Sequence, residues 1–234
     1  MKDSQSLLNL EKTFSFSHYS DGAKKHLANV YLSVLACLIC TAFGVATPLS
    51  FQDPLHKLVK FFGVKFNPNR VSLFLALVLL RWIYNDSQKG NLPRRVAMLC
   101  VFGFLRGLNL VEDISLAIAT DSAIVMTALI GAMTIFVCFS VAAMLAQRRS
   151  WLFLGGSFSS ATTLLLLGFD LDSQLYWLLL SVLFVLFVTQ SILEKAEKGS
   201  RDVVGHALLI YLDFFTIGSN LLQILIRKAG MKKN

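Results

Sequence analysis

The sequence predicts an all-α, polytopic membrane bundle of six or seven transmembrane helices, and three observations carry that prediction. First, of 234 residues 55% are hydrophobic and 15% charged, whereas soluble domains hold about 45–50% apolar and about 25% charged residues. A soluble globule of this composition lacks the polar residues to cover its surface. Second, the apolar residues gather in seven runs, most close to the roughly 20 residues that one crossing of the hydrocarbon requires. Third, all four prolines (Pro48, Pro54, Pro68 and Pro93) fall between runs, and Trp82, Trp151 and Trp177 each fall near the end of one. Those are the places where helices stop and where aromatic side chains sit at the membrane interface.

The elements follow in chain order. Residues 1–28 form a cytosolic N-terminal segment whose first 26 residues hold no long apolar core, so no cleaved signal peptide is expected and the first span acts as signal anchor. The bundle is expected over 29–226, from runs at 29–47, 71–84, 96–118, 123–146, 151–169, 175–193 and 203–226. The first run carries Cys37 and Cys40, which read as small apolar filler; with Cys100 and Cys138 they suggest no disulfide framework. The second run is short and has Arg81 near its end, where a long side chain snorkels to the interface. The third holds Gly103 and Gly107 in a GxxxG spacing, which lets helices approach closely. It also holds Arg106 near its middle and ends on Glu112 and Asp113. The fifth opens on the small residues Gly155, Gly156, Ser157, Ser159 and Ser160, again a packing feature. A basic tail, RKAGMKKN, occupies 227–234.

Lys and Arg set the orientation. The side shared with the N-terminus has 12 of them, including Lys24, Lys25, Arg94, Arg95, Arg148 and Arg149, against four on the other side, all within 48–70. The N-terminal side is therefore expected in the cytosol. For the seventh run, charge favours re-entry, because the basic tail then joins the cytosolic side. Length favours a crossing, since 24 residues of helix rise about 36 Å.

The seventh run carries most of the chemistry. At 100° per residue Asp202, His206, Asp213, Thr216, Asn220, Gln223 and Arg227 share one stripe with Leu209. A charge facing lipid is costly, so the stripe should face protein or water, either as the wall of an ion path or as a buried polar seam that fixes packing. Asp213, His206 and Asn220 are the ion-path candidates. Arg106 and Arg81 are the candidate charge partners, with Arg106 expected to pair with Asp213. Glu112 and Asp113, with Asp121, Asp170 and Asp172 in other loops of the same side, read as an acidic mouth or as ordinary solvated residues. No P-loop, GxSxG or HExxH occurs, so no enzyme is expected, and no cofactor or resident metal. The net charge of +8 suits anionic lipid rather than nucleic acid, which leaves the bilayer as the principal partner.

Three segments now carry a resemblance: FSHYSDGAKKHLANVYLSVLACLICTAFG (16–44), FVCFSVAAMLAQRRSWLFLGG (136–156) and TQSILEKAEKGSRDVVGHALLIYLDFFTI (189–217). They resemble the Bax inhibitor-1 family, the middle one in the manner of plant members. The resemblance implies a bundle of six or seven spans in the endoplasmic reticulum membrane that suppresses programmed cell death, belongs to the stress response and lowers reticulum calcium through a pH-sensitive leak, with calcium as the transported ion. It also implies a latch in which two Asp, on the sixth and seventh helices, share a proton. The seventh-helix Asp corresponds to Asp213. The sixth-helix Asp belongs to a DTQ motif that here reads Val188-Thr189-Gln190, so its carboxylate is missing. Plant members place Glu before the glycine of the third helix, where this chain has Arg106 before Gly107. Two close carboxylates can share a proton and titrate as a pair; Val188 takes no part in that, so the latch does not transfer. The expected function is suppression of programmed cell death through a calcium leak, and the alternative is a non-conducting membrane regulator acting through other membrane proteins. Calmodulin, which plant members bind through a basic tail, is a further implied partner.

Overall fold

The computed structural model describes residues 20–50, 68–86, 91–145, 173–200 and 202–233. Among the described residues the fold is all-α, with six helices: α1 (Asp21–Ser50), α2 (Pro68–Asn85), α3 (Leu92–Thr120), α4 (Ala123–Leu145), α5 (Ser173–Glu197) and α6 (Val203–Lys233). They take up six of the seven expected runs, and the run at 151–169 lies outside the described residues. By length and composition Asp21–Thr47, Ala123–Met144, Tyr176–Glu197 and Val203–Met231 are able to cross a membrane.

The helix ends explain themselves locally. Ser20 opens α1 by accepting the Ala23 N–H on its Oγ at 3.3 Å, and Asp21 adds a negative charge to the first turn. Proline begins α2 and stands in the first turn of α3, where the missing N–H costs nothing. Asp121 sits between α3 and α4 and serves both: its N–H donates to Ala117 O at 2.8 Å, and its Oδ1 accepts from Ala123 N at 2.9 Å. That gives Asp121 a capping role at the turn between the two helices. α5 stops in a left-handed turn at Gly199 (φ 90°), with Ser200 N–H donating to Lys195 O at 2.9 Å and Gly199 N–H to Ala196 O at 3.1 Å. A side chain at Gly199 would strain that turn. Asp202 then caps α6, its Oδ1 accepting from Gly205 N at 3.0 Å.

The chain forms two compact units. The first comprises Asn29–Val125 and Asp202–Tyr211. In it α1 and α3 run parallel, as the contacts show by stepping in the same direction along both helices. Cys37 Sγ donates to Leu99 O at 3.3 Å, Gly103 lies against Cys37 and Thr41, and Gly107 lies against Thr41 and Gly44. The three glycines let backbone meet backbone: a Cβ on Gly103 would stand 2.6 Å from both Cys37 O and Cys37 Sγ. α2 packs against α3, and the Arg94 guanidinium lies over the Trp82 ring at 5.6 Å. Tyr211, fully buried, shares a 2.8 Å hydrogen bond between its hydroxyl and Thr41 Oγ1 and meets Phe102 edge-on.

The second unit comprises Met126–Arg201 and Leu212–Asn234 with the chain up to Ala28. α4 and α6 run antiparallel there: Gly131 lies against Leu221, Ala132 against Gly218, and the Phe136 and Phe214 rings meet edge-on at 5.3 Å. Gln190 ties α5 to α4 by donating from Nε2 to Ala143 O at 2.8 Å.

Candidate functional site

Asp213 lies on α6 in the second unit, flanked by Leu212 and Phe214 and 6% exposed. Its Oδ2 is buried and has no hydrogen-bond partner among the described residues. The same holds for Ser140 Oγ on α4 and Asn220 Nδ2 on α6. Asn220 is seven residues beyond Asp213 and so nearly on the same face, about 10 Å along the helix. Ser140 is one turn from Phe136, which meets Phe214. Buried polar atoms in native structures bond to protein, water or ions. A carboxylate oxygen, an amide nitrogen and a hydroxyl without hydrogen-bond partners among the described residues therefore make the second unit the place where water is expected.

The family's paired-carboxylate position falls in the same unit. Val188, Thr189 and Gln190 on α5 are all buried, and Gln190 spends an amide proton on the α4 backbone. Val188 offers Asp213 neither a proton to share nor a hydrogen bond.

The rest of the predicted stripe divides. Asp202 and His206 belong to the first unit, His206 being buried. Asp202 is the acid of a salt bridge, with Arg95 Nη1 at 2.8 Å from its Oδ1. Thr216 Oγ1 donates to Leu212 O at 2.8 Å, a bond within its own helix, and Arg227 is exposed. Arg106 is half-buried on α3 in the first unit. Because Asp213 falls in the second unit, its expected pairing with Arg106 stays an expectation for a double-mutant cycle. Arg81 is exposed on α2; Glu112 is exposed and Asp113 half-buried on α3. Asp170 and Asp172 lie outside the described residues.

Two elements went unread in the sequence. Arg95 was counted only as a cytosolic charge, yet its side chain is 6% exposed. Tyr211 lies on the face of α6 opposite the stripe, and the available signal was its hydroxyl, which needs a partner in an apolar run.

The fold and these residues define a multi-pass helical membrane protein with an ionisable group inside one of its spans. A family profile described as Inhibitor of apoptosis-promoting Bax1 matches residues 23–230. Bax inhibitor 1 of Homo sapiens is 33% identical over 239 residues, covering 97% of this chain and 95% of the relative. Bax inhibitor 1 of Mus musculus is 34% identical over 238 residues, with the same coverage of 97% and 95%. The plant protein of that name from Arabidopsis thaliana is 31% identical over 231 residues, 94% of this chain and 87% of the relative. The chain belongs to the Bax inhibitor-1 family of anti-apoptotic membrane proteins.

Proposed function

We propose that the protein restrains programmed cell death from the endoplasmic reticulum membrane, with its N-terminus in the cytosol, by a slow calcium leak that passes Asp213. The observation that carries this reading is the buried Asp213 on α6, whose Oδ2 has no hydrogen-bond partner among the described residues, inside an apolar helix. Intramembrane carboxylates are costly and mark ion or proton paths. A second reading, a non-conducting regulator that works through other membrane proteins, is favoured by Val188, since a shared-proton latch needs two carboxylates.

Calcium flux from proteoliposomes containing only this protein separates the two. Val188→Asp should change the pH dependence of the flux between about pH 6 and pH 8, because a second carboxylate lets Asp213 share a proton. A pH dependence left unchanged by Val188→Asp overturns the single-carboxylate account. No flux from any variant favours the regulator.

Topology has its own test. Asn85-Asp86-Ser87 is a glycosylation sequon, and Asn85 ends α2 with its side chain exposed. The charge bias puts it in the cytosol, so Asn85 should carry no glycan in reticulum membranes. A glycan at Asn85 inverts the orientation. A sequon appended after Asn234 reports separately whether the last helix crosses. The tail residues Arg227, Lys228, Lys232 and Lys233 support attraction to anionic lipid, with calmodulin a further candidate partner.

A further inference from the structure

The parallel crossing of α1 and α3 is unusually close. A disulfide needs its Cα atoms about 4.4–6.8 Å apart, a separation that more residue pairs reach where two helices cross closer than the usual interaxial distance of about 8–10 Å. Here glycine removes the spacing side chains. A Cβ on Gly103 would stand 2.6 Å from Cys37 O and 3.1 Å from Thr41 Oγ1, and a Cβ on Gly107 would stand 3.1 Å from the Gly44 Cα. The register is pinned by the Cys37 thiol, which donates to Leu99 O at 3.3 Å. One residue beyond Leu99, Cys100 lies near Cys40 of α1, close enough for the two thiols to interact. Both are free and half-buried, whereas Cys37 is fully buried and already bonded to backbone.

We propose that Cys40 and Cys100 form a redox site, at which the two thiols oxidise to a disulfide that fastens α1 to α3. The oxidant is a hydroperoxide, a class that includes the peroxides of lipid chains. One sulfur attacks the O–O bond, which breaks; that sulfur becomes a sulfenic acid and the alcohol (or water) leaves. The second sulfur then displaces the hydroxyl, the S–S bond forms, and water carries off the remaining thiol proton. Two sulfurs lose two electrons in all, and the peroxide gains them. The second step is fast relative to capture by other thiols because the partner is already in place. The CxxC spacing of Cys37 and Cys40 conceals the pair in the sequence: the partner of Cys40 is on another helix.

The test uses the full chain in lipid vesicles, treated with tert-butyl hydroperoxide, quenched with an alkylating reagent and analysed by mass spectrometry. Wild type should lose two of its four thiols. Digestion with trypsin should yield peptide 26–57 joined to peptide 96–106, the link running through Cys40 and Cys100. Cys40→Ser and Cys100→Ser should each keep all three remaining thiols under the same treatment. Loss of two thiols from either serine variant overturns the proposal, as does a wild-type link through Cys37 or Cys138. Retention of all four wild-type thiols, under exposure that oxidises cysteine added to the same vesicles, also overturns it.

Discussion

Gly107→Leu is expected to prevent α1 and α3 from closing, and to destabilise the protein by about 3 kcal/mol or more. The obstacle is backbone. A Cβ at position 107 would overlap the Thr41 carbonyl oxygen and stand 3.0 Å from its carbon, and neither atom moves aside by changing a rotamer. The helices must separate instead, which breaks the Cys37–Leu99 hydrogen bond and opens the contact around Gly103. Gly230 supplies the control. It lies in α6 with nothing within 4 Å of an added Cβ, so Gly230→Ala should be neutral or stabilising by up to about 1 kcal/mol through helix propensity. Thermal melting of the detergent-purified protein distinguishes the two. Equal melting points for Gly107→Leu and wild type would show that the crossing is looser than described.

The second large effect is expected at Asp202, which has two duties. It neutralises the buried Arg95 through the 2.8 Å bridge and caps α6 through Gly205 N. Removing one partner of a fully buried pair costs about 3–5 kcal/mol. The Asp202 side chain is 25% exposed, so the lower end applies, and losing the cap adds about 1 kcal/mol. Asp202→Ala should therefore be among the most damaging single changes in the first unit. Asp202→Asn keeps the cap and loses the charge, so it should be milder by about the worth of the cap. Arg95→Met should cost less than either, because the Asp202 it strands still reaches water and still caps the helix. The double variant Arg95→Met with Asp202→Asn should recover much of the loss of Asp202→Asn alone. Simple additivity would mean that the bridge contributes nothing to stability.

Much of the helical order was legible because membrane spans announce themselves by composition, and because Pro68, Pro93 and Asp121 mark their own boundaries. The GxxxG at Gly103 and Gly107 was legible as a packing device; that its counterpart is Gly44 was not, since register between helices distant in sequence leaves no periodic trace. The stripe on α6 was legible as a line of polar residues spaced along one helix. What it missed is that the line passes through two environments. Asp202 serves a salt bridge and a cap, while Asp213 sits buried with no hydrogen bond to Oδ2 among the described residues. The elements that decide this, Arg95 on α3 for one and α4, whose Phe136 meets Phe214 beside Asp213, for the other, lie far away in sequence. Cys100 escaped notice for the same reason. Nothing local distinguishes a thiol that meets lipid from one that meets another thiol.

The parallel course of α1 and α3 has a consequence for the bilayer itself. Two neighbouring helices pointing the same way oblige the chain to travel back between them, and α2 is the described helix in that stretch. α2 has only 18 residues, a rise of about 27 Å. That equals the hydrocarbon thickness of a reticulum bilayer, about 27 Å, and falls short of the 32–33 Å or so of a plasma membrane. In the thicker membrane the end of α2 that carries Arg81 and Asn85 would be drawn towards hydrocarbon at a fraction of a kcal/mol per ångström of mismatch. With 18 residues α2 is the shortest described helix, and three leucines added in its middle, about 4.5 Å of rise, are expected to shift the protein towards thicker membranes.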